Sequence, residues 1–215
     1  NNFGHCLHGG PNGWQYKLYS VEEATATKLV LSLLSPDGEE QFPGNLTAKV
    51  TFTLTDENAI AIDYEAETDA PTVVNMTNHS YFNLGTRDDI TDHTVTLHAQ
   101  RYTPLGERSI PTGEILPVEG TDMDFRTGRS LEGMAGYDCN WEIDGEPGNV
   151  RMAAEVTCGS SDIRLQVYTN MPGIQFYTGN GIKEGTKGKD GAVYGKWSGL
   201  CLETQDFPDA PNHEN

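Results

Sequence analysis

Alternation of apolar and polar positions dominates the chain and predicts short β-strands. In the run LTAKVTFTLT, residues 46–55, every second residue from Leu46 to Leu54 is apolar, and the intervening positions are Thr or Lys. This period of two is that of a half-buried strand. After the turn-forming residues 56–58, DEN, the same period resumes over 60–66. The two runs therefore predict an antiparallel hairpin.

Further runs with strand character recur along the chain, separated by clusters of turn-forming residues such as SPDGEE, GEPGN and GSSD. These clusters are rich in Gly, Pro, Asp and Ser, which adopt turn geometry. No apolar repeat with helical period is sustained. The sequence thus predicts an all-β protein built as a sandwich or barrel. The additional runs are 27–35, 93–99, 150–158 and 162–169.

The run VNMTNHSYFNLG, residues 74–85, carries more hydrogen-bonding side chains than a core strand needs. Read as extended chain, its residues separate by parity into two faces. We expect one face to join the core, and Thr77, Asn75 and Asn83 to brace the strand. The polar face comprises Asn75, Thr77, His79, Tyr81 and Asn83, and the apolar face Val74, Met76, Phe82 and Leu84.

Two later runs show the same split. In GIQFYTGN, residues 173–180, Gln175 and Tyr177 alternate with apolar positions; in GLCLETQDF, residues 199–207, Cys201, Glu203 and Gln205 do so. Amide, carboxylate and aromatic groups together suit a neutral polyhydroxylated ligand. A solvated sheet face is the alternative, since antiparallel sheets are often polar on one side.

Four polar residues are candidates for chemistry or binding. A histidine and a glutamate on facing strands, His79 and Glu203, could act as a general acid and base pair near neutral pH. His8, in LHGG, is a third candidate, although a histidine that caps a glycine turn has the same spacing. Asp138, in GYDCNW, has a turn-initiating role as its alternative.

Charge and cysteine content narrow the classes of partner. The chain of 215 residues has 32 acidic against 14 basic residues, a net charge of −18. This charge repels phosphate backbones and anionic lipids, so nucleic acid and membrane surfaces are unexpected partners. No apolar stretch of 18 residues is present, which argues against a transmembrane helix. The four cysteines lack paired C-x-x-C spacing, so we expect reduced thiols and no metal site.

Seven motifs together resemble the aldose 1-epimerases (galactose mutarotases), in the family's order and approximate spacing. The resemblance covers essentially the whole chain, and its most specific parts are TNHSYFNL, PGIQFYTGN and LETQDFPDA. The other motifs are LHGG, PGNLTAKVTFTLTDEN, DITDHTVTLHAQRYTPLGERSIPTGEI and GYDCNW.

This resemblance implies a large antiparallel β-sandwich, the supersandwich of the galactose mutarotase-like proteins. Residues 1–215 are expected to form one such domain, incomplete at both termini because family members extend further. The implied reaction interconverts the α and β anomers of a neutral hexose, galactose or glucose, without a cofactor or a metal. We expect a monomer or homodimer and a cytoplasmic location, with a periplasmic or secreted one left open by the start of the chain.

The resemblance also implies residue roles. Glu203 resembles the base that removes the proton of the C1 hydroxyl, and His79 the acid that protonates the ring oxygen. His8 resembles a second active-site histidine. Asp138 and Gln175 resemble residues that hold sugar hydroxyls, and Tyr81 is expected to contact the sugar.

Departures from the family pattern leave alternatives open. Cys139 stands where histidine is common and is expected to alter the shape of the cleft; Trp197 and the GWQYKLYSVEE segment also differ. Two other functions share this fold class: a non-catalytic carbohydrate-binding protein and a hexose-6-phosphate 1-epimerase. The latter's dianionic substrate calls for an arginine-rich pocket, which the polar faces lack. Three N-x-S/T sequons suggest an extracellular glycoprotein, but two lie inside the proposed active-site run.

Overall fold

A computed structural model describes residues 4–214 and has the all-β class that the alternation predicts. Strands account for 41% of the chain and helices for 7%. The helices between residues 4 and 214 are single 3₁₀ turns: Trp14–Tyr16, Glu39–Gln41, Glu107–Ser109, Lys189–Gly191 and Ala210–Asn212. None of the helices in this range is long or apolar enough to cross a membrane.

The chain divides into two compact units, with the boundary between Met76 and Thr77. The expectation of a single domain stays a prediction. The first unit contains four strands: β1 (Ser20–Ala24), β2 (Lys28–Ser35), β3 (Leu46–Leu54) and β4 (Ile60–Thr68). They form one antiparallel sheet in the order β1-β2-β3-β4.

The β3–β4 hairpin confirms the pairing predicted from the sequence. Leu46 pairs with Thr68 at one end of the hairpin and Leu54 with Ile60 at the other. Burial follows the predicted parity only at the beginning of β3, where Leu46 and Ala48 are 5% and 1% exposed. Leu54 is 53% exposed, so the apolar face of this strand is buried over half its length.

The second unit contains two larger antiparallel sheets and a small hairpin. The first sheet has the order β11-β10-β5-β8, the second the order β15-β12-β9-β6-β7, and β13 pairs with β14. The runs at 150–158 and 162–169 are confirmed as strands, as is the run at 27–35 in the first unit, whereas the run at 93–99 is divided at His98 between two strands of different sheets. The strands are β5 (His93–Leu97), β6 (Ala99–Thr103), β7 (Leu116–Pro117), β8 (Arg129–Ser130), β9 (Asp138–Ile143), β10 (Arg151–Cys158), β11 (Ser161–Thr169), β12 (Gly173–Tyr177), β13 (Thr186–Lys187), β14 (Val193–Tyr194) and β15 (Cys201–Gln205).

An aromatic cluster anchors the core of the second unit. Phe125, Trp141 and Phe176 are at most 1% exposed, and the Phe125 ring meets the other two edge-on at centroid distances of 5.8 and 5.4 Å. Such edge-to-face contacts add to the apolar burial of each ring. Because Trp141 lies on β9 and Phe176 on β12, these strands turn alternate residues into the core. The intervening residues occupy the opposite face.

The segment 74–84, predicted as a strand, does not join a sheet. Its ladder pairing is limited to a single antiparallel bridge between Phe82 and Leu200, so the strand prediction is wrong for the rest of the run. Part of the parity prediction is confirmed, because Phe82 and Leu84 pack against the core. Val74 is 41% exposed, which contradicts the core position expected for it.

Candidate active site

Strand register places three predicted site residues on one face of the second sheet. Gln175 on β12 pairs with Glu203 on β15, and Tyr177 on β12 pairs with Asp138 on β9. Residues two apart on β12 share a face, and so do the partners directly opposite them. The alternation that sends Phe176 into the core therefore brings Glu203, Gln175 and Asp138 together on the other side.

His79 is held beside β15 by contacts on either side of it in the chain. Upstream, the hydroxyl of Thr77 donates a hydrogen bond to the Thr204 carbonyl over 2.9 Å. Downstream, the Phe82 amide donates to the Leu200 carbonyl over 2.8 Å, and the Leu200 amide donates back over 2.9 Å. The bracing expected of Thr77 is confirmed, and it fixes the histidine against the strand that carries Glu203.

Asn83 also braces this segment, as expected. Its side-chain amide donates to the Arg87 carbonyl over 2.9 Å, and its side-chain oxygen accepts a hydrogen bond from the Gly85 amide over 3.0 Å. Asn75 lies in the first unit and its bracing role stays a prediction.

The imidazole of His79 and the carboxyl group of Glu203 face each other. His79 Nε2 lies 3.5 Å from Glu203 Oε1, which is longer than a well-formed hydrogen bond but short enough for a modest movement to make one. The side chain of Glu203 is 8% exposed and that of His79 is 32% exposed. A ligand therefore reaches the pair from the histidine side.

Burial makes Glu203 a weak acid. Loss of solvation raises its pKa to about 8, and the nearby charge of Asp138 adds to the rise. A carboxyl group with a pKa close to neutral pH accepts and returns a proton readily, which is the property of a general acid or base. Strongly raised carboxyl pKa values in partly open sites are typical of catalytic groups.

Gln175 and Asp138 form a hydrogen-bonded pair next to Glu203. The Gln175 Nε2 group donates to Asp138 Oδ1 over 2.8 Å. Gln175 Oε1 is buried and accepts no hydrogen bond from residues 4–214. Buried carbonyl oxygens are seldom left unsatisfied in native proteins. An adjacent donor, such as a sugar hydroxyl, would satisfy it.

Tyr81 covers one face of the histidine. The rings of His79 and Tyr81 stack with centroids 5.2 Å apart and an interplanar angle of 27°. Tyr81 is 51% exposed, so part of its ring is open to solvent beside His79. Burial of the remainder, with smaller contributions from neighbouring acidic groups, raises the pKa of Tyr81 to about 12.

Tyr177 is a member of this site that the sequence did not assign. Its ring meets those of His79 and Tyr81 edge-on, with both centroid distances at 6.2 Å. Its hydroxyl oxygen accepts a hydrogen bond from the Gly181 amide over 2.7 Å. The signal was present in the sequence, because Tyr177 shares the parity of Gln175 in GIQFYTGN.

Cys201 is a second unassigned member, buried beneath the pair. It is fully buried and lies two residues before Glu203 on β15, on the same face. Burial raises the pKa of its thiol well above the usual value, and the charges of Glu203 and Asp138 contribute. At neutral pH it is a neutral thiol.

Cys139 does not line the site, contrary to expectation. It is 4% exposed and belongs to the core cluster, and its thiol donates to the Thr103 carbonyl over 3.1 Å. Since Asp138 points to the site face, its neighbour on the strand must point to the core. Cys139 therefore lies on the core face of β9 and not on the face that carries Asp138.

His8 lies in the first unit, where it lines a cavity of about 260 Å³ with Trp14, Phe42 and Leu46 among others. It has a positive φ of 54°, the left-handed conformation found in glycine-rich turns. The His8 carbonyl would clash with the Cβ atom of any side chain at position 13, so Gly13 is required in this turn. A catalytic role for His8 stays a prediction.

The arrangement in the second unit can move protons on a neutral ligand. It offers a carboxyl group and an imidazole 3.5 Å apart, an amide oxygen that accepts no hydrogen bond from residues 4–214, and aromatic rings beside them.

Comparison with known proteins identifies relatives over the whole chain. The family profile described as aldose 1-epimerase matches residues 1–215. Human galactose mutarotase is 44% identical over 214 residues, which cover 96% of this chain and 62% of that protein. Aldose 1-epimerase of Escherichia coli K12 is 37% identical over 218 residues, 96% of this chain and 63% of that protein. The chain thus spans less than two thirds of the length of these relatives.

Solved structures show the same fold. A crystal structure of an aldose epimerase homologue from C. elegans superposes with a TM-score of 0.92 at 29% identity, covering 100% of this chain and 67% of that one. The structure of galactose 1-epimerase from Lactobacillus acidophilus gives a TM-score of 0.82 at 28% identity, covering 97% and 63%. These matches confirm the galactose mutarotase-like fold that was expected from the sequence motifs.

Proposed function

Because the chain belongs to the aldose 1-epimerase family, we propose that it interconverts the α and β anomers of a neutral hexose such as galactose or glucose. The observation that carries this proposal is the approach of His79 Nε2 to Glu203 Oε1, at 3.5 Å, with the glutamate buried. Mutarotation requires two proton transfers and no redox step, so the proposal includes neither a cofactor nor a metal.

The proposed reaction opens and recloses the sugar ring. The carboxylate of Glu203 removes the proton of the C1 hydroxyl while His79 donates a proton to the ring oxygen, and the bond between C1 and the ring oxygen breaks. Rotation about the C1–C2 bond then presents the other face of the aldehyde. On closure the ring hydroxyl returns its proton to His79, and Glu203 returns its proton to the oxygen on C1. Each positioned acid or base contributes about 10²–10⁴-fold to such a reaction.

The remaining groups are proposed to hold the sugar. Asp138 and Gln175 accept and donate hydrogen bonds to its hydroxyls, and Tyr81 covers part of the ring's apolar surface. The catalytic role that the family resemblance implies for His8 stays a prediction. A small neutral substrate is consistent with the acidic character of Glu203 and Asp138.

A hexose 6-phosphate is a less suitable substrate. Its dianionic phosphate calls for arginine or lysine, whereas the residues gathered at Glu203 are acidic or neutral, and the net charge of −18 opposes anion approach. A non-catalytic sugar-binding protein would use the same face but has no need of a buried carboxyl group with a pKa of about 8.

Polarimetry on freshly dissolved α-D-galactose or α-D-glucose tests the proposal. We expect the protein to accelerate the approach to the equilibrium rotation and Glu203→Gln to abolish the acceleration. Binding of hexose without acceleration would replace the proposal with the carbohydrate-binding alternative. Acceleration confined to hexose 6-phosphates would replace it with the phosphate-specific one.

A further inference from the structure

Three kinds of metal-ligating side chain meet at the base of the candidate active site. One ligand atom from each of His79, Cys201 and Glu203 lies within 4.8 Å of the other two. Cys201 and Glu203 are on one face of β15 because they are two residues apart. His79 is held against the same strand by the bonds of Thr77 and Phe82.

The spacing of these atoms is close to that of a tetrahedral zinc site. With Zn–N and Zn–O distances of about 2.0–2.2 Å and Zn–S of about 2.3 Å, neighbouring ligand atoms lie about 3.3–3.7 Å apart. The separation of His79 Nε2 from Glu203 Oε1, 3.5 Å, falls in this range. The thiol requires an adjustment of about 1 Å at most.

The charges around Glu203 favour the binding of a cation. Glu203 is buried and forms no ion pair with a lysine or arginine of residues 4–214; its charged neighbour is Asp138, of the same sign. A buried carboxylate or thiolate without a compensating positive charge is costly. A divalent ion supplies that charge and reverses the preference for the protonated forms.

We propose that His79, Cys201 and Glu203 bind a thiophilic divalent cation, with Zn²⁺ as its representative, and that the bound ion blocks the candidate active site. Three protein ligands leave the fourth position of a tetrahedral ion open toward the exposed side of His79, where water or a sugar oxygen completes it. The ion is an inhibitor that competes with the proton-transfer chemistry. Binding stands independently of the proposed function, and only the inhibition rests on it.

Binding of the ion releases up to two protons. The Cys201 thiol loses its proton to solvent as the S–Zn bond forms, and protonated Glu203 loses its own as the O–Zn bond forms. His79 binds through a neutral nitrogen. Affinity therefore rises with pH, as it does wherever metal ligands must first be deprotonated.

A second cluster in the same unit supplies a matched control. Asp92, His93 and Cys158 also place their ligand atoms within 4.8 Å of one another. Both nitrogens of His93 are committed, however: Nδ1 faces Asp92 Oδ1 at 2.9 Å, and Nε2 accepts the Leu84 amide over 2.9 Å. A metal at Nδ1 would place the ring proton on Nε2, against the Leu84 N–H, so this cluster should not bind the ion.

Cobalt spectroscopy separates the two clusters. A thiolate bound to Co²⁺ produces an intense charge-transfer band in the near ultraviolet. In a Cys6→Ser background, which removes an exposed thiol, we expect this band on titration with Co²⁺. It should persist in Cys158→Ser and disappear in Cys201→Ser. Zn²⁺ affinity from competition with a chromophoric chelator should fall in Cys201→Ser by more than about tenfold, the loss that follows even from disturbing an outer-shell partner.

Independent measurements distinguish a folding defect, the absence of the metal site and the absence of inhibition. Circular dichroism checks that Cys201→Ser folds; if it does not, His79→Gln takes its place, since it removes a ligand without disturbing the core. A band that survives in Cys201→Ser or His79→Gln, or that is lost in Cys158→Ser, overturns the site. Mutarotase activity is measured in parallel with chelator present. Activity that is insensitive to Zn²⁺ at saturating occupancy overturns the block, whereas a cobalt band in a protein without mutarotase activity leaves the metal site standing and removes the proposed function.

Discussion

The imidazole of His79 meets the carboxyl group of Glu203 at 3.5 Å, on the exposed flank of an otherwise buried glutamate. The contact joins an irregular segment to the end strand of a five-stranded sheet. Strand pairing in the same sheet positions Gln175 and Asp138. The proposed base, Glu203, therefore lies on a paired strand, whereas the proposed acid, His79, lies on a segment outside the sheet.

Glu203→Gln should reduce the mutarotase rate by at least about 10²-fold, because the amide cannot accept the C1 hydroxyl proton. The measurement is polarimetry at saturating hexose. Glu155→Gln is the matched control, since Glu155 pairs with Arg164 on the other sheet, and its rate should be unchanged. Equal losses in both variants would contradict a specific role for Glu203.

On the acid side of its pH profile the rate should rise with a midpoint near pH 8, because burial raises the pKa of Glu203 to about 8 and only the ionised form is the base. Asp138→Asn should move this rise to lower pH, since it removes the neighbouring negative charge but keeps an oxygen that accepts the bond from Gln175. The measurement is the pH profile of kcat/KM for both proteins. An unmoved profile would mean that another group controls the rate.

The raised pKa of Glu203 also makes stability depend on pH. Between the ordinary carboxyl value of 4.5 and about 8, the folded state holds a proton that the unfolded state has released. The folded state therefore favours the protonated carboxyl group. The stability that this preference adds is complete below pH 4.5 and is lost as the pH rises to about 8, at about 1.4 kcal/mol per pH unit. Urea unfolding across this range should show a shallower decline for Glu203→Gln. A steeper decline would contradict the burial argument.

Thr77→Val removes the hydroxyl that bonds the Thr204 carbonyl while preserving side-chain shape. We expect a loss of about 1 kcal/mol in unfolding free energy and a lower kcat with little change in KM, because the position of His79 is affected more than sugar contact. Thr91→Val is a control, since Thr91 bonds Asp89, a half-buried loop residue outside the candidate active site. A change in KM alone would indicate that Thr77 serves binding.

Phe125→Ala should destabilise the second unit by about 3–5 kcal/mol, the usual cost of removing a buried phenylalanine. Phe125 is 1% exposed and its ring contacts three other core rings. Val150→Ala, at a position 74% exposed, should change stability by less than about 0.5 kcal/mol. Thermal unfolding of the two variants checks the contrast.

The sequence predicted the site where strand parity controls side-chain direction. Gln175, Glu203 and their apolar neighbours follow the period of two, because β12 and β15 are paired strands in a sheet. The same rule, applied to Asp138, places Cys139 in the core, so the expectation that Cys139 shapes the cleft was avoidable.

The predicted alternation holds only in part over residues 74–84, because the backbone there is not paired in a ladder. Thr77 bonds through its side chain and Phe82 through one bridge, so nothing enforces the alternation that a sheet imposes. The distance between His79 and Glu203 depends on where this segment crosses β15. The local sequence pattern does not predict that position. The ring of Tyr177 beside His79 follows from the same crossing.

The two hydrogen-bonded attachments of the 77–82 segment have a kinetic consequence. Glu203 lies on a strand that pairs with β12 residue by residue, whereas the segment that carries His79 meets β15 through the Thr77 hydroxyl and the Phe82 bridge. We therefore expect a weakening of either attachment to change the distance between His79 and Glu203. Under the proposed function, the strength of these two attachments should influence which hexoses the protein accepts.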